Sequence, residues 1–324
     1  MNCPEELFDT VDNLINSQRN DGEKLPSMPG VKQRRTSIDC NQSWGSQLRK
    51  RLSMRVLAGR KYLYQRVCKR KSTPLAKLFI FGCQRSGTSM LCDVFHRDLS
   101  TEVLYETSRI TCDGHDRLRL REVEQVRELL ERSPARLVVA KPIVESQNAS
   151  YWLDQIPGLQ AVWMYRRYPD QIRSHVTRFD SQRSNLESIV RQEQDNWRSE
   201  NIDDEMLDLV RQFYRPEMRR QDAAGLYWYL RNYHLFRTGL HKDPRVHVLC
   251  YEELVRSPED YVSRLYDVLD VPVVGTARLC NFVDTRSIGH GESMELSPAI
   301  ADLCDDMMAK LQDAFMQGSL GTLR

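Results

Sequence analysis

The chain has 324 residues and a mass of 37.9 kDa, which suffices for one large α/β domain or at most two ordinary domains. Its net charge is only +2, so bulk charge does not indicate a nucleic-acid-binding protein. No apolar run approaches the roughly 18 residues of a membrane span, and the first residues lack the apolar core of a signal peptide. The nine cysteines are dispersed without a CxxC pair, which predicts a cytoplasmic protein with reduced thiols and neither a disulfide scaffold nor a zinc site.

Two segments of contrasting charge precede the predicted main domain. Residues 1–30 are acidic, and we predict a flexible tail there. Residues 31–75 are predicted to form a basic, partly helical segment, since the stretch 32–71 holds thirteen Lys or Arg residues and one acid, Asp39. Apolar residues at near-helical spacing predict a helix over about 47–71. Its charge would suit a membrane surface or another anionic partner, but packing beside the main domain is the simpler interpretation.

From Lys77 onward, short apolar runs alternate with helical patterns. Strands are predicted at 78–81, 102–106, 136–141, 160–165 and 245–251. Helices are predicted near 87–97, 119–132, 170–178, 185–198, 203–213, 217–241, 258–269 and 297–316. This alternation predicts an α/β fold with a mostly parallel central sheet and helices on both faces. We expect a single domain over 76–324, with a helical insertion at about 180–242 and a C-terminal helix.

The loop after the first strand, GCQRSGTS, nearly matches the phosphate-binding pattern G-x-x-x-x-G-K-[ST]. Thr88 occupies the lysine position, and Arg85 supplies a cation three residues earlier. Backbone N–H groups and the N-terminus of the following helix predict an anion cradle in a P-loop NTPase-like fold. The later strands end in Lys141, Tyr165 and Tyr251, so the carboxylate that holds magnesium in NTPases has no clear counterpart. The predicted phosphate-binding residues are Gly82, Cys83, Gln84, Arg85, Ser86, Gly87, Thr88 and Ser89.

A second anion site is predicted where the strand 160–165 ends. Arg166 and Arg167 follow this strand, Pro169 interrupts the chain, and Ser174 lies on the next helix. Ligands of open α/β folds bind at the carboxyl edge of the sheet, where such strand-end arginines lie. The alternative is a pair of surface arginines at the end of a strand.

Gln-Arg-Ser-Gly-Thr-Ser, at 84–89 after an apolar strand, resembles the 5′-phosphosulfate loop of sulfotransferases. These enzymes use the donor 3′-phosphoadenosine 5′-phosphosulfate (PAPS) and release PAP. The resemblance covers roughly residues 77–290, and its closest motifs are those of the branch that modifies tyrosyl proteins and carbohydrates. It implies a metal-independent enzyme in which an arginine and Ser174 bind the 3′-phosphate. Arg167 fits the Arg-x-Pro part of the family pattern and Arg166 fits the Arg-to-Ser spacing, so either arginine remains a candidate.

The resemblance also implies a carboxylate as general base. Glu106, followed by Thr107, lies twenty-one residues after Arg85, as does the catalytic glutamate of the tyrosylprotein branch. His115 is a second candidate for this role. The alternative is that Glu106 only forms an ion pair with a basic residue, such as Arg109.

Further residues are implied by the same resemblance. Lys141 is expected near the sulfuryl group or the leaving phosphate, a task shared with Arg85. Tyr251, Arg286 and Ser287 are expected at the nucleotide. Glu252 is expected to bind backbone or an arginine near the nucleotide, and Ser146 is expected to assist Lys141. His290 is a candidate for contact with the acceptor.

The function predicted from these features is sulfuryl transfer from PAPS to an acceptor hydroxyl or amine. We expect a small molecule or a saccharide as acceptor rather than a protein, since the chain lacks a signal anchor. The acceptor pocket is predicted among the aromatic-rich helices of 180–240. Two alternatives remain, a P-loop kinase or NTPase and a non-catalytic relative that binds an anion. The sequence specifies neither the acceptor nor the oligomeric state.

Overall fold

The computed structural model describes residues 44–67, 74–179, 182–193, 196–291 and 293–321. The chain divides into two units, residues 1–69 and residues 70–324. In the first unit, helix α1 (Trp44–Val67) covers most of the helix predicted at 47–71 and carries no acid. The predicted tail and residues 68–71 of the predicted helix lie outside the described residues. In the described part of the chain, no helix has both the length and the apolar character that crossing a bilayer requires.

The second unit is built on a five-stranded sheet in the order β2-β3-β1-β4-β5, in which all neighbouring strands are parallel. Its strands are β1 (Ala76–Gly82), β2 (Thr101–Leu104), β3 (Leu137–Ala140), β4 (Leu159–Tyr165) and β5 (Val246–Cys250). Successive residues of a strand point to opposite faces. Since nearly every residue of β1 and β4 is buried, both faces of the sheet are covered. The predicted α/β fold with a parallel sheet is confirmed.

Helices lie in the connections between these strands and after the last strand. They are α2 (Thr88–Arg97), α3 (Val123–Glu131), α4 (Ala149–Gln155), α5 (Tyr168–Arg178), α6 (Arg183–Val190), α7 (Asp204–Phe213), α8 (Arg220–Arg237), α9 (Tyr251–Arg256), α10 (Pro258–Val268), α11 (Thr276–Cys280) and α12 (Pro298–Gln317). Short 3-10 helices lie at Gly114–Asp116, Ile143–Asn148, Trp197–Ser199 and Leu240–Lys242. The expected helical insertion corresponds to α6, α7 and α8 with the 3-10 turn at Trp197–Ser199.

Several predicted boundaries were wrong. The helix expected at 119–132 begins only at Val123, because Leu120 forms an antiparallel bridge with Thr111. The helix expected at 185–198 ends at Val190, and Gln192 adopts a left-handed backbone (φ 51°). Tyr251, expected to end a strand, begins α9.

Candidate active site

The loop between β1 and α2 has the backbone of an anion cradle. Gly82, Arg85 and Gly87 all have positive φ, at 126°, 70° and 86°. A Cβ at Gly87 would lie 2.2 Å from a ring carbon of Tyr251, so only glycine fits that approach. Left-handed residues within such a loop turn successive N–H groups toward a common concavity, which is how backbone nests bind anions.

One buried serine lies within this loop, and a second lies beside it. The Ser86 hydroxyl is fully buried, and it has no hydrogen-bond partner in the described part of the protein. An unpaired buried polar atom at a functional loop is a place where a bound ligand can supply the missing bond. The Ser146 hydroxyl accepts a hydrogen bond from the Gly82 N–H at 3.0 Å. Ser146 therefore supports the loop backbone at the end of β1.

A cavity of about 500 Å³ opens beside the loop at the carboxyl edge of the sheet. This volume lies within the range of small-molecule sites. The loop, α5 and the segment after α11 contribute its walls. The lining residues are Arg85, Gly87, Thr88, Ser89, Met90, Arg166, Asp170, Arg173, Ser174, Thr177, Tyr251, Ser287 and His290.

Arg166 is held in this cavity from several sides. It is buried, and its guanidinium stacks on the Tyr251 ring with 4.6 Å to the ring centroid. Its Nη1 donates to the Arg85 carbonyl at 3.4 Å, and its Nη2 donates to the Ser287 carbonyl. The Trp228 indole donates to the Arg166 carbonyl at 3.2 Å. These contacts fix the strand-end arginine against the loop.

Arg167 has a different environment, although it is the next residue. Its side chain is exposed and does not line the cavity. Its backbone N–H points to both Glu252 carboxylate oxygens, at 3.2 and 3.4 Å. The expectation that Glu252 binds backbone is confirmed, and burial raises the pKa of this carboxyl. Glu252 also lies 3.9 Å from Arg166 Nε.

Arg85 links the loop to α5. Its Nε donates to the Ser174 hydroxyl at 3.0 Å. Burial, with Arg178 and Arg166 nearby, lowers the pKa of Arg85. Positive charge is therefore concentrated at this wall of the cavity, and a bound anion would relieve the repulsion.

Glu106, Lys141 and Ser89 form a second cluster, beside the cavity. The ammonium of Lys141 lies 3.1 Å from Glu106 Oε1 and 2.8 Å from the Ser89 hydroxyl. Lys141 is buried and the Glu106 side chain is 17% exposed. Adjacent strands β2 and β3 end at the same edge, which brings these residues together. Arg109, named in the sequence analysis as an alternative partner of Glu106, pairs with Glu102. Glu106 does pair with a basic residue, Lys141.

Two sequence candidates lie away from the cavity. The His115 side chain is fully exposed beside Asp116, at 3.7 Å. The Arg286 side chain is exposed and pairs with Asp284. Neither residue is among those that line the cavity, whereas Ser287 and His290 are.

Sequence reasoning missed three cavity residues on α5, namely Asp170, Arg173 and Thr177. Together with Ser174 they occupy positions i, i+3, i+4 and i+7, which form one face of a helix. The position of Ser174 was predicted, so the helical period after Pro169 was the signal that could have identified the other three.

Comparison with known proteins gives one family match. The sequence model of the sulfotransferase family matches residues 77–274, which is more than half of the 324 residues. No curated protein matches the chain in sequence.

Three of the similar solved structures are described as sulfotransferases or as a sulfotransferase domain. One from Alicyclobacillus acidocaldarius has 20% identity and a TM-score of 0.40, covering 78% of this chain and 98% of its own. A sulfotransferase domain from the curacin biosynthetic pathway has 15% identity and a TM-score of 0.46, covering 74% of this chain and 98% of its own. A mouse sulfotransferase complexed with PAP has 12% identity and a TM-score of 0.39, covering 74% and 86%.

Proposed function

The chain belongs to the sulfotransferase family, and on that premise we propose that it moves a sulfuryl group from PAPS to an acceptor hydroxyl or amine. The observation that carries this proposal is the cluster of Glu106, Lys141 and Ser89 beside the anion cradle. A carboxylate and an ammonium within 3.1 Å of each other, next to a phosphate-binding loop, supply the proton acceptor and the cation that sulfuryl transfer needs.

The residues around the cavity fit the donor, which carries a 5′-phosphosulfate and a separate 3′-phosphate. The backbone, Thr88 and Ser89 of the loop would bind the 5′ group at the N-terminus of α2. Arg166, Ser174 and Ser287 would bind the 3′-phosphate, since a planar guanidinium suits phosphate oxygens. The buried Arg166 side chain favours it over Arg167 for this contact. Tyr251 would support the site through the ring on which Arg166 stacks.

Arg85 faces Ser174 in the structure, whereas Lys141 faces Ser89 and Glu106. We therefore propose that the two cations have different roles. Arg85 would act mainly in donor binding and Lys141 in stabilising charge during transfer.

The donor supplies the sulfuryl group. As the acceptor oxygen forms its bond to sulfur, the Glu106 carboxylate takes the proton of the hydroxyl. The bond from sulfur to the 5′-phosphate oxygen breaks, and Lys141 stabilises the negative charge that gathers on the departing side. Positioning and preorganised charge would provide most of the rate enhancement, as in phosphoryl transfer. No metal is part of this proposal.

Transfer of labelled sulfate from PAPS would test the function directly. The acceptor panel would contain small alcohols, phenols, saccharides and a tyrosyl peptide. Release of PAP would be measured in the same reactions. We expect label on a small molecule or a saccharide, with turnover lost in Glu106→Gln. Release of PAP at the same rate by wild-type and Glu106→Gln protein would contradict the proposed mechanism, and no transfer to any acceptor class would contradict the function.

A further inference from the structure

Asp170, in the first turn of α5, is a buried carboxylate that binds a distant segment of the chain. Its Oδ2 accepts from the Gly289 N–H at 2.9 Å, and its Oδ1 accepts from the Gly291 N–H at 2.7 Å. The residue is only 4% exposed. Burying a carboxylate is unfavourable unless it is hydrogen-bonded, and these two N–H groups provide such bonds.

Residues 287–291, which we name the cavity strap, are seated closely on α5 at this point. A Cβ at Gly291 would lie 2.1 Å from the carbonyl carbon and oxygen of Pro169. Glycine at this position therefore permits direct contact between the strap and the Pro169–Asp170 peptide. Gly289 has a positive φ of 78°, which also suits glycine.

The strap contributes to the cavity as well as to the fold. Ser287 and His290 both line the cavity. The Ser287 carbonyl accepts from Arg166, and its hydroxyl lies within hydrogen-bond distance of the Tyr251 hydroxyl. The His290 carbonyl accepts from Arg173. Each residue that the strap places in the cavity is thus bonded to a residue that also lines it.

An acid in the first turn of a helix has a simpler explanation, namely favourable interaction with the helix dipole. That interaction requires no partner in another segment and predicts no effect on a ligand. The carboxylate of Asp170 instead accepts one N–H with each oxygen, from two glycines of the strap. An asparagine could accept only one of these bonds, because its second terminal atom is a donor.

We propose that Asp170 is a positioning residue that holds the cavity strap over the 3′-nucleotide part of the donor site. This inference rests on the proposed function. With the strap bound to Asp170, Ser287 is preorganised beside Arg166, and less ordering is required when the donor binds. The strap also remains attached at the first turn of α5 when the nucleotide leaves.

The test is calorimetric binding of PAP to the full chain and to Asp170→Asn. We expect the variant to bind PAP about 10-fold to 100-fold more weakly, as the loss of a charge-assisted bond would give. Donor KM should rise by a similar factor, while kcat at saturating donor should stay within about twofold, because the Glu106 and Lys141 cluster is untouched.

Asp222→Asn is the matched control. Asp222 is also buried in the first turn of a helix, α8, and accepts a backbone N–H from a distant segment, that of Ser297 at 2.7 Å. It does not line the cavity. Its replacement should reduce stability without changing PAP affinity by more than about twofold. Equal loss of affinity in the two variants would overturn the positioning role and leave only a general structural one.

Gly291→Ala provides a second route if Asp170→Asn folds poorly. The added methyl must displace the strap from Pro169 while Asp170 remains, so the same loss of PAP affinity is expected. Hydrogen exchange at the amides of Gly289 and Gly291 should accelerate in both variants. Wild-type PAP affinity in both variants would overturn this inference alone, whereas failure of the wild-type protein to bind PAP would overturn the proposed function with it.

Discussion

Lys141 and Arg85 are both cations of the candidate site, but their contacts differ. Lys141 is buried between Ser89 and Glu106, whereas Arg85 reaches Ser174 on α5. Lys141→Met should therefore lower kcat by about 10² or more with little change in PAP affinity, because its contacts lie at the transfer cluster. Arg85→Ala should mainly weaken PAP binding and raise donor KM.

Steady-state kinetics with varied donor, combined with calorimetry using PAP, would separate these effects. A loss of PAP affinity in Lys141→Met with unchanged kcat would contradict the division between the two cations. The same conclusion would follow if Arg85→Ala lowered kcat alone.

Arg166 and Arg167 are neighbouring arginines that can be replaced one at a time as a matched pair. Arg166 is buried on the Tyr251 ring and bonded to the loop, and Arg167 is exposed. Arg166→Ala should reduce affinity for PAP by about 10-fold or more, and affinity for adenosine 5′-monophosphate by much less, because only PAP carries the 3′-phosphate. Arg167→Ala should leave both affinities near the wild-type values. A reversed pattern would assign the 3′-phosphate to Arg167.

The sequence could not decide between these two arginines. They are adjacent at a strand end, where neighbouring side chains point in different directions. Which of them faces the cavity depends on the backbone path between β4 and α5. It also depends on the Tyr251 ring, on which the Arg166 guanidinium stacks. The turn between β1 and α2 was easier to predict, because the glycines at its two ends favour the positive φ values found at Gly82 and Gly87.

At the scale of elements, the loop between β1 and α2 depends on Gly87. An alanine there would be strained at φ 86°, and its Cβ would meet the Tyr251 ring at 2.2 Å. Displacing this ring would disturb the stack with Arg166. Gly87→Ala should therefore weaken PAP binding by about 10-fold or more, and should lower the free energy of unfolding by about 1–3 kcal/mol.

Gly158→Ala is the control that separates the effect of backbone strain from the effect of the contact with Tyr251. Gly158 has a similar positive φ of 70°, but nothing lies within 4 Å of its added Cβ. This control should lose stability and keep its PAP affinity, as calorimetry and urea unfolding would measure. Equal PAP affinity in Gly87→Ala and wild-type protein would show that the loop tolerates the displacement of Tyr251.

Elements were predictable where periodicity was long and undisturbed. The five strands and the helices at 203–213 and 258–269 were located within a few residues. Predictions failed where a tertiary contact overrides the local pattern, as at Leu120 in its bridge to Thr111. The short helices α4, α9 and α11 were missed, since five to seven residues carry too little periodicity to be distinguished from loops.

At the scale of the whole molecule, buried histidines make stability depend on pH. Burial and the nearby Arg85 and Arg198 lower the pKa of His175 to about 4. The unfolded chain takes up this proton near the ordinary pKa of 6.5, while the folded chain stays neutral to about 4. Stability should therefore fall as pH decreases from 6.5 toward 4, by about 1.4 kcal/mol per pH unit for this group alone.

Two further histidines act in the same direction. Burial lowers the pKa of His247, and burial with Arg231 and Arg237 lowers that of His234. Urea unfolding at pH 8, 6.5 and 5 would measure the combined slope. His175→Gln should reduce the slope by about one proton below pH 6.5, and an unchanged slope would contradict the assignment of His175 as neutral in the fold.

The order of the strands was not available from the sequence. Alternation of strands and helices predicts a parallel sheet, but the order β2-β3-β1-β4-β5 depends on which apolar faces pack together. This order places the ends of β2, β3 and β1 side by side, and so brings Glu106 and Lys141 to the loop between β1 and α2. The cytoplasmic location, the acceptor and the domain limits remain predictions.

The most direct measurement is calorimetric binding of PAP beside ADP and ATP, each with magnesium and with EDTA. The two proposed anion sites, with Thr88 at the lysine position of NTP-binding loops, predict that the protein binds PAP selectively and that magnesium does not change this binding. Preference for magnesium-bound ATP would contradict the account and would favour a kinase or NTPase.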